Sequence, residues 1–370
     1  MSLAAWTVVS ASLLIGLLAG FFMHRSDYCL AGTFRDFFLF RATDRLVSLL
    51  MLIVLSAFLF ELLRLANLLP SYPFPWFDPP SLSNILGGIV FGVGMVMAGG
   101  CVVGVLYKFG SGSAISGVAV LGLVAGSALY AELHPTWKII SQPLVLGTEA
   151  VTIPQMTGCE PAYFIFPIVL VSWILLWKFR PGKRLSAGNR AEGYIPLWVT
   201  AVALALLGAL SVVSTSIPMG VSTSYAKAAA IIESIFAPEH VANTEFFISQ
   251  KAHLLLPGGT ETILGGGGPK WDAVAIVQYP LILGIVFGSA ISAKLLGEFR
   301  FYWKVPMRQV LMVFTGGVVM ALGARMAPGC NVWHLLGGMP ILAIQSVFFI
   351  SGMVPGTWLG SLIMKRILIA

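Results

Sequence analysis

Gly87 to Cys101 reads GGIVFGVGMVMAGGC, and Gly316 to Cys330 reads GGVVMALGARMAPGC. Eight of the fifteen positions agree at one constant spacing: Gly87, Gly88, Val90, Gly94, Met97, Ala98, Gly100 and Cys101 each have a counterpart. A match ending on cysteine, of which the chain has only 4, marks an internal repeat, and a repeat sets the architecture before any local motif does. Two fainter copies extend it. Gly284 to Gly288 repeats Gly88 to Gly92 as GIVFG, and Gly16 to Cys29 places Gly20, Met23 and Cys29 in the register of Gly92, Met95 and Cys101. The copy that starts at Gly284 has Gly297 where cysteine would stand, so about four units carry three cysteines.

The units lie in a chain built for lipid. Of 370 residues 58% are hydrophobic and 10% charged, a balance that a soluble core of this length does not need. A bilayer core is about 30 Å thick and takes ~20 apolar residues per helical crossing. Such stretches run over Leu3–Met23, Leu46–Leu69, Ile85–Tyr107, Ala114–Ala131, Ala162–Trp177, Pro196–Ser214, Ala273–Ala293, Val305–Arg325 and Ile341–Met364. The fold class expected is an all-α integral membrane protein of about nine transmembrane helices, with short broken or re-entrant central helices. The first stretch lacks a basic leader and a small-residue cleavage pattern, so it reads as a retained helix.

Basic residues orient the chain, because cytoplasmic loops carry the excess of Lys and Arg. Arg25, Arg35, Arg41 and Arg45 follow the first stretch, Lys108 the third, Lys178, Arg180, Lys183, Arg184 and Arg190 the fifth, Lys294, Arg300, Lys304 and Arg308 the seventh, and Lys365 and Arg366 the ninth. The opposite loops, Pro70–Asn84 and Glu132–Pro161, hold one Lys and no Arg. That predicts a multi-pass inner-membrane protein with its N-terminus outside and its C-terminus in the cytoplasm. It also accounts for the net charge of +7 without nucleic acid, since no basic, aromatic-interleaved face exists.

On this topology the two strongest copies run in opposite directions, as in an inverted repeat, and such halves meet near the midplane around a substrate. Glycine stripes have a plainer reading, close helix packing, which fits Gly16/Gly20 and Gly88/Gly92. Packing leaves the cysteines unexplained. Gly99-Gly100-Cys101 and Pro328-Gly329-Cys330-Asn331 break apolar stretches, and breaks at depth are tolerated where the backbone finds other partners or lines a cavity. Three sections follow: 1–135 as an N-terminal half with two Cys units, 136–270 as connecting helices and an outer loop, and 271–370 as a C-terminal half with one Cys unit. The outer stretch Ile217–Trp271 carries Gly265–Gly268 and an amphipathic run, Tyr225–Phe236, which reads as a mobile loop or a cap on an outer vestibule.

The chemistry expected is that of neutral thiols. No C-x-x-C and no His/Cys cluster at ligand spacing occurs, so neither metal nor cofactor is expected, and Cys159 lies outside the repeat. A lone buried cysteine is usually a small packing residue, but three at equivalent positions are not independent. Buried among Gly, Met and aliphatic side chains, a thiol keeps its proton and offers S–H to an anion without repelling it. A sulfur oxyanion suits such a row: its oxygens take backbone N–H groups at broken-helix N-termini and its terminal sulfur takes S–H. Several weak sites in series favour passage over trapping. The expected substrate path is Cys29, Cys101 and Cys330 with Gly99, Gly100, Gly329 and Asn331. Arg325 and His334 flank Cys330, Arg325 either drawing the anion or snorkelling at a helix end.

The segment RSDYCLAG around Cys29 and the two long blocks ending at Cys101 and Asn331 resemble the YeeE/YedE family of sulfur-transport membrane proteins, over residues 1–130 and 281–370. The resemblance implies a pseudo-symmetric helical protein that takes up thiosulfate, with its functional cysteines at Cys29, Cys101 and Cys330. It also implies, from some relatives, selenium metabolism and a small cytosolic sulfur-carrier protein as partner. The run GCNVWHLLGG departs from the thiosulfate-type pattern, which has a small polar run after its last cysteine.

Rival readings are a carrier of another sulfur or selenium species, a membrane thiol–disulfide oxidoreductase, and an assembly subunit without substrate. The oxidoreductase wants a vicinal redox pair, which the spacing does not supply. No G-x-x-x-x-G-K-[ST] motif is present, and Glu61 is the one acidic residue well inside an expected helix, which gives a proton relay little footing.

Overall fold

The structure, a computed structural model, describes residues 3–69, 71–179, 192–250, 252–255 and 262–369. Arg180, Lys183, Arg184 and Arg190 lie outside the described residues. The chain folds as α1 (Leu3–Ser26), α2 (Leu30–Phe40), α3 (Asp44–Leu65), α4 (Ser83–Met97), α5 (Val102–Gly110), α6 (Ala114–Ser141), α7 (Ile153–Thr157), α8 (Ala162–Phe179) and α9 (Leu197–Thr215). Three helices α10 (Ser222–Phe236), α11 (Pro238–Asn243) and α12 (Glu245–Ile248) follow, then a hairpin of β1 (Ala252–Leu255) and β2 (Thr262–Gly265). α13 (Ala273–Leu295), α14 (Met307–Met326), a π-helical turn Trp333–Gly338 and α15 (Ile344–Ile369) complete it.

Among the described residues eight helical stretches are long and apolar enough to cross a bilayer. The remaining expected crossing, α8, has a shorter apolar part, Ala162–Leu175. Glycine contacts decide whether α8 counts. A Cβ on Gly16 would meet Leu281 and one on Gly20 would meet Ile285, so α1 and α13 run the same way. Gly88 and Gly92 face Phe349 and Met353, making α4 and α15 parallel; Gly122 and Gly126 face Phe314 and Val318, making α6 and α14 parallel. Gly87 and Gly94 face Ala327 and Met320, so α4 and α14 are antiparallel, the relation an inverted repeat requires. A chain that reverses at each crossing meets all four conditions only if α8 crosses. Without it, α13 would oppose α1 and α14 would oppose α6.

The same contacts show what the glycine stripes do inside helices: they let backbones touch, as small residues do where lipid supplies no hydrophobic drive for association. Gly99 is different. It adopts φ +73° in the turn after α4, and no atom lies within 4 Å of where its Cβ would be. That left-handed turn lets the chain stop one helix at Met97 and begin another at Val102. One large apolar cluster runs through the middle of the bundle and contains Cys29, Cys101 and Cys330.

The described residues of 217–250, 252–255 and 262–271 fold into a cap over the cavity beside Arg325. Lys227, fully buried, donates to the carbonyls of Gly266 (3.2 Å) and Gly268 (2.7 Å) and pairs with Asp272 at 2.7 Å. Asp272 in turn caps α13, accepting from the N–H groups of Val274 and Ala275. Trp76 reaches across to donate its indole N–H to the His253 carbonyl at 2.7 Å. The amphipathic run expected at Tyr225–Phe236 is the body of α10.

Candidate functional site

Each repeat cysteine begins a short helical segment. Cys29 is the N-cap of α2 and Cys101 the N-cap of α5, both in extended backbone, and Cys330 immediately precedes the helical segment that starts at Asn331. An N-cap residue faces backbone N–H groups that have no partner in the helix. Gly104 accordingly donates its N–H to the Cys101 sulfur at 3.2 Å. The Cys29 side chain makes no such capping hydrogen bond to α2. In the fourth unit Gly297 stands at the cysteine position with φ +70° and no helix begins after it.

The structure buries the three thiols in one cluster. All are free and buried, at 3%, 0% and 0% exposure for Cys29, Cys101 and Cys330. The Cys29 and Cys101 sulfurs both lie against Gly104. Asn331 lies beside Cys101. Tyr225 donates to the Val102 carbonyl at 3.4 Å and neighbours both Cys101 and Cys330. A small apolar void of about 30 Å³ adjoins the three turns: Leu30, Val103 and Val332, each one or two residues past a repeat cysteine, line it, and the cysteines themselves do not.

A larger cavity of about 230 Å³ opens under the cap and descends to Gly329 and Trp333, beside Cys330. Arg325 enters its wall and donates to Ser222 at 2.7 Å and Thr223 at 3.3 Å. Among the described residues no carboxylate pairs with it, so it is held in the cavity by hydroxyls. Gly329 admits the Trp333 ring: a Cβ there would stand 2.5 Å from its Cδ1. Gly100 packs against Val105 at the first turn of α5.

His334 is placed apart from the thiols' chemistry, with both ring nitrogens engaged. Nε2 donates to the Ala327 carbonyl at 2.8 Å, Nδ1 takes the Ser346 hydroxyl at 3.0 Å, and the ring stacks on Phe349 at 4.1 Å. Glu61 is buried against Arg64 at 2.8 Å, and Arg64 also holds Glu160. Cys159 is exposed. The one group of metal-ligand-type side chains among the described residues, Glu132, Glu233 and His240, lies in and beside the cap and includes none of the cysteines.

Reading the residues in order missed Gly104, Trp333 and Tyr225. Gly104 carries one signal, its position three residues after Cys101, where an N-cap group finds its N–H donor. Trp333 and Tyr225 are brought in only by tertiary structure.

A family model described as "Sulphur transport" matches residues 25–359, from just before Cys29 to well past Cys330. The chain belongs to that family. Its similarity to a thiosulfate transporter, TsuA, of Spirochaeta thermophila is 28% identity over 376 aligned positions, covering 96% of this chain and 98% of the relative. With the TsuA of Escherichia coli it shares 26% identity, covering 96% of this chain and 94% of that one. A protein named as a probable transporter, YedE, of E. coli is 29% identical over 49% of this chain. The resemblance read from the motifs around Cys29, Cys101 and Cys330 is thus the family the whole chain falls in.

Proposed function

We propose that this member of the sulphur transport family takes up thiosulfate across a bacterial inner membrane along a central row of neutral thiols. The N-terminus faces outside and the C-terminus the cytoplasm, as the Lys and Arg distribution argues. The cavity under the cap then opens outward. Arg325 draws the anion in, Cys330, buried just behind the cavity-lining Gly329, meets it first, Cys101 and Cys29 pass it on, and Gly99, Gly100 and Gly329 shape the turns that hold them.

The observation that carries this reading is the burial of three cysteines, each at the start of a helical segment, in one cluster, with Cys29 and Cys101 on either side of Gly104. Backbone N–H groups at three helix starts can replace water around oxygens, while S–H groups meet the soft terminal sulfur. Each contact is weak, and a solute held by several weak sites moves between them. His334, its nitrogens occupied, supports the Cys330 turn through Ala327 and does not bind the solute directly. A small cytosolic sulfur-carrier protein is the expected receiver on the inner side.

The test is uptake of radiolabelled thiosulfate by proteoliposomes of the purified chain, against protein-free vesicles. Uptake well above the blank, displaced by unlabelled thiosulfate more effectively than by selenite, sulfite or sulfide, supports the assignment. Equal displacement by selenite moves the substrate to selenium chemistry, and no uptake under any gradient favours an assembly role. The contact between Cys29 and Cys101 lends a redox reading one observation. A reversible disulfide between them under non-reducing mass spectrometry, formed at each turnover, is what that reading requires.

A further inference from the structure

Beside this path two buried polar side chains stand without a hydrogen bond. Asn331 is fully buried, and neither its Nδ2 nor its Oδ1 has a partner. Trp333 is 6% exposed and its indole Nε1 has none either. Buried polar groups are almost always paired, because leaving one unpaired sacrifices its hydration for nothing, so such a pair of orphans calls for an explanation. The local fold is capable of satisfying polar groups: His334, the next residue, has both nitrogens bonded. Leu or Phe would have packed equally well.

Their positions supply the reason. Trp333 stands at the floor of the cavity with its Cδ1 edge against Gly329, the residue before Cys330. It cannot swing freely, being stacked on Phe77 at 4.6 Å and on Trp76 at 6.2 Å. Asn331 follows Cys330 in sequence and lies against the thiol of Cys101, placed so that its amide makes no hydrogen bond of proper geometry. The two N–H groups therefore flank the step from Cys330 to Cys101. Both are uncharged donors, able to hold an oxygen without the deep well that an arginine would make.

We infer that Asn331 Nδ2 and Trp333 Nε1 are the donors for the oxygen end of a sulfur oxyanion, and that they set specificity by rejecting sulfur species without oxygens, such as hydrosulfide. A site built to hydrogen-bond an oxygen discriminates strongly against a ligand lacking it, since its buried donors are then left empty. The inference rests on the thiol-path reading and deepens it.

Trp333→Phe keeps the stacked ring and removes only the N–H; Asn331→Leu keeps the volume and removes both orphans. Each variant should lower thiosulfate uptake at subsaturating concentration by about tenfold or more, chiefly through KM. Sulfite should become a weaker competitor in both, while hydrosulfide competes as before. Each empty variant should melt at or above the wild-type temperature, since it sheds an unsatisfied group. Unchanged uptake and competition overturn the inference, as does a lower melting temperature with uptake falling only in proportion to folded protein. Cys101→Ala run alongside separates the two ideas: its loss of uptake together with wild-type Asn331 and Trp333 variants defeats this inference alone, and its retention of uptake defeats the thiol path.

Discussion

Cys29 and Cys101 face one another over Gly104: a Cβ on that glycine would stand 2.9 Å from the Cys29 sulfur and 3.3 Å from the Cys101 sulfur. On the proposed thiol path, the lack of a side chain at Gly104 is what leaves room beside both sulfurs for a shared guest. Gly104→Ala puts a methyl group where the solute's terminal sulfur would sit. It should cut thiosulfate uptake by about tenfold or more while helix propensity at this position improves slightly. Uptake assays on variant and parent, normalised to folded protein, decide it.

Arg325 lies in the wall of the cavity, bonded to Ser222 and Thr223. If its charge gathers the anion before the thiols act, Arg325→Gln raises KM several-fold, leaves Vmax close to wild type, and removes most of the dependence of KM on ionic strength. A fall in Vmax at unchanged KM would place Arg325 elsewhere in the cycle.

Lys227 and Asp272 rivet the Gly265–Gly268 stretch and the start of α13 to α10. Removing one partner of a buried pair leaves the other charge uncompensated, at a cost of about 3–5 kcal/mol. Lys227→Met should lower the melting temperature sharply, and Lys227→Met with Asp272→Asn should recover part of the loss. Thermal unfolding of the detergent-solubilised protein reads both.

The cap should loosen as pH rises. Hydrogen bonding to Glu132, then its charge, raises the His240 pKa above the usual 6.5, and burial followed by repulsion from Glu132 raises that of Glu233 above 4.5. For a raised histidine the added stability is complete below pH 6.5 and disappears as pH climbs through the folded value. The raised Glu233 works in the same direction from pH 4.5 upward, because the folded state favours its neutral form. Hydrogen exchange over residues 232–248 should therefore quicken from pH 6 to pH 8 by more than the intrinsic base-catalysed rate, and His240→Gln should flatten that excess.

Two glycine substitutions separate packing from tolerance. Gly288→Val brings a side chain to 2.7 Å from the Leu17 carbonyl carbon between α1 and α13, and overpacking of that kind costs about 1–3 kcal/mol. Gly147→Ala, with no atom within 4 Å of the new methyl, should leave the melting temperature unchanged.

Much of this was legible in the residues because lipid imposes strong rules. Apolar stretches of spanning length became helices, with shifts of a few residues at their ends, and the break at Gly99-Gly100-Cys101 was written in its glycines. Less was legible where partners are far apart in sequence. Nothing near Cys29 announces that the next eleven residues form a separate helix with that cysteine at its N-cap position. The internal ion pair of Lys227 depends on Asp272, and the isolation of Trp333 Nε1 depends on a stack made with Phe77 and Trp76. Arg325 read equally well as an interfacial snorkel, and only the cap folding over it makes it a cavity residue. The glycines inside helices served packing, whereas the cysteines they frame stand at helix starts within one buried cluster.

The central claim is that the three repeat thiols act in one passage. Its most direct test is thiosulfate uptake by Cys29→Ala, Cys101→Ala and Cys330→Ala, each confirmed as folded, with Cys159→Ala beside them. The account predicts that each of the first three loses at least about nine-tenths of uptake, since a passage in series fails at any missing step, while Cys159→Ala matches wild type. Wild-type uptake in all three path variants would contradict it.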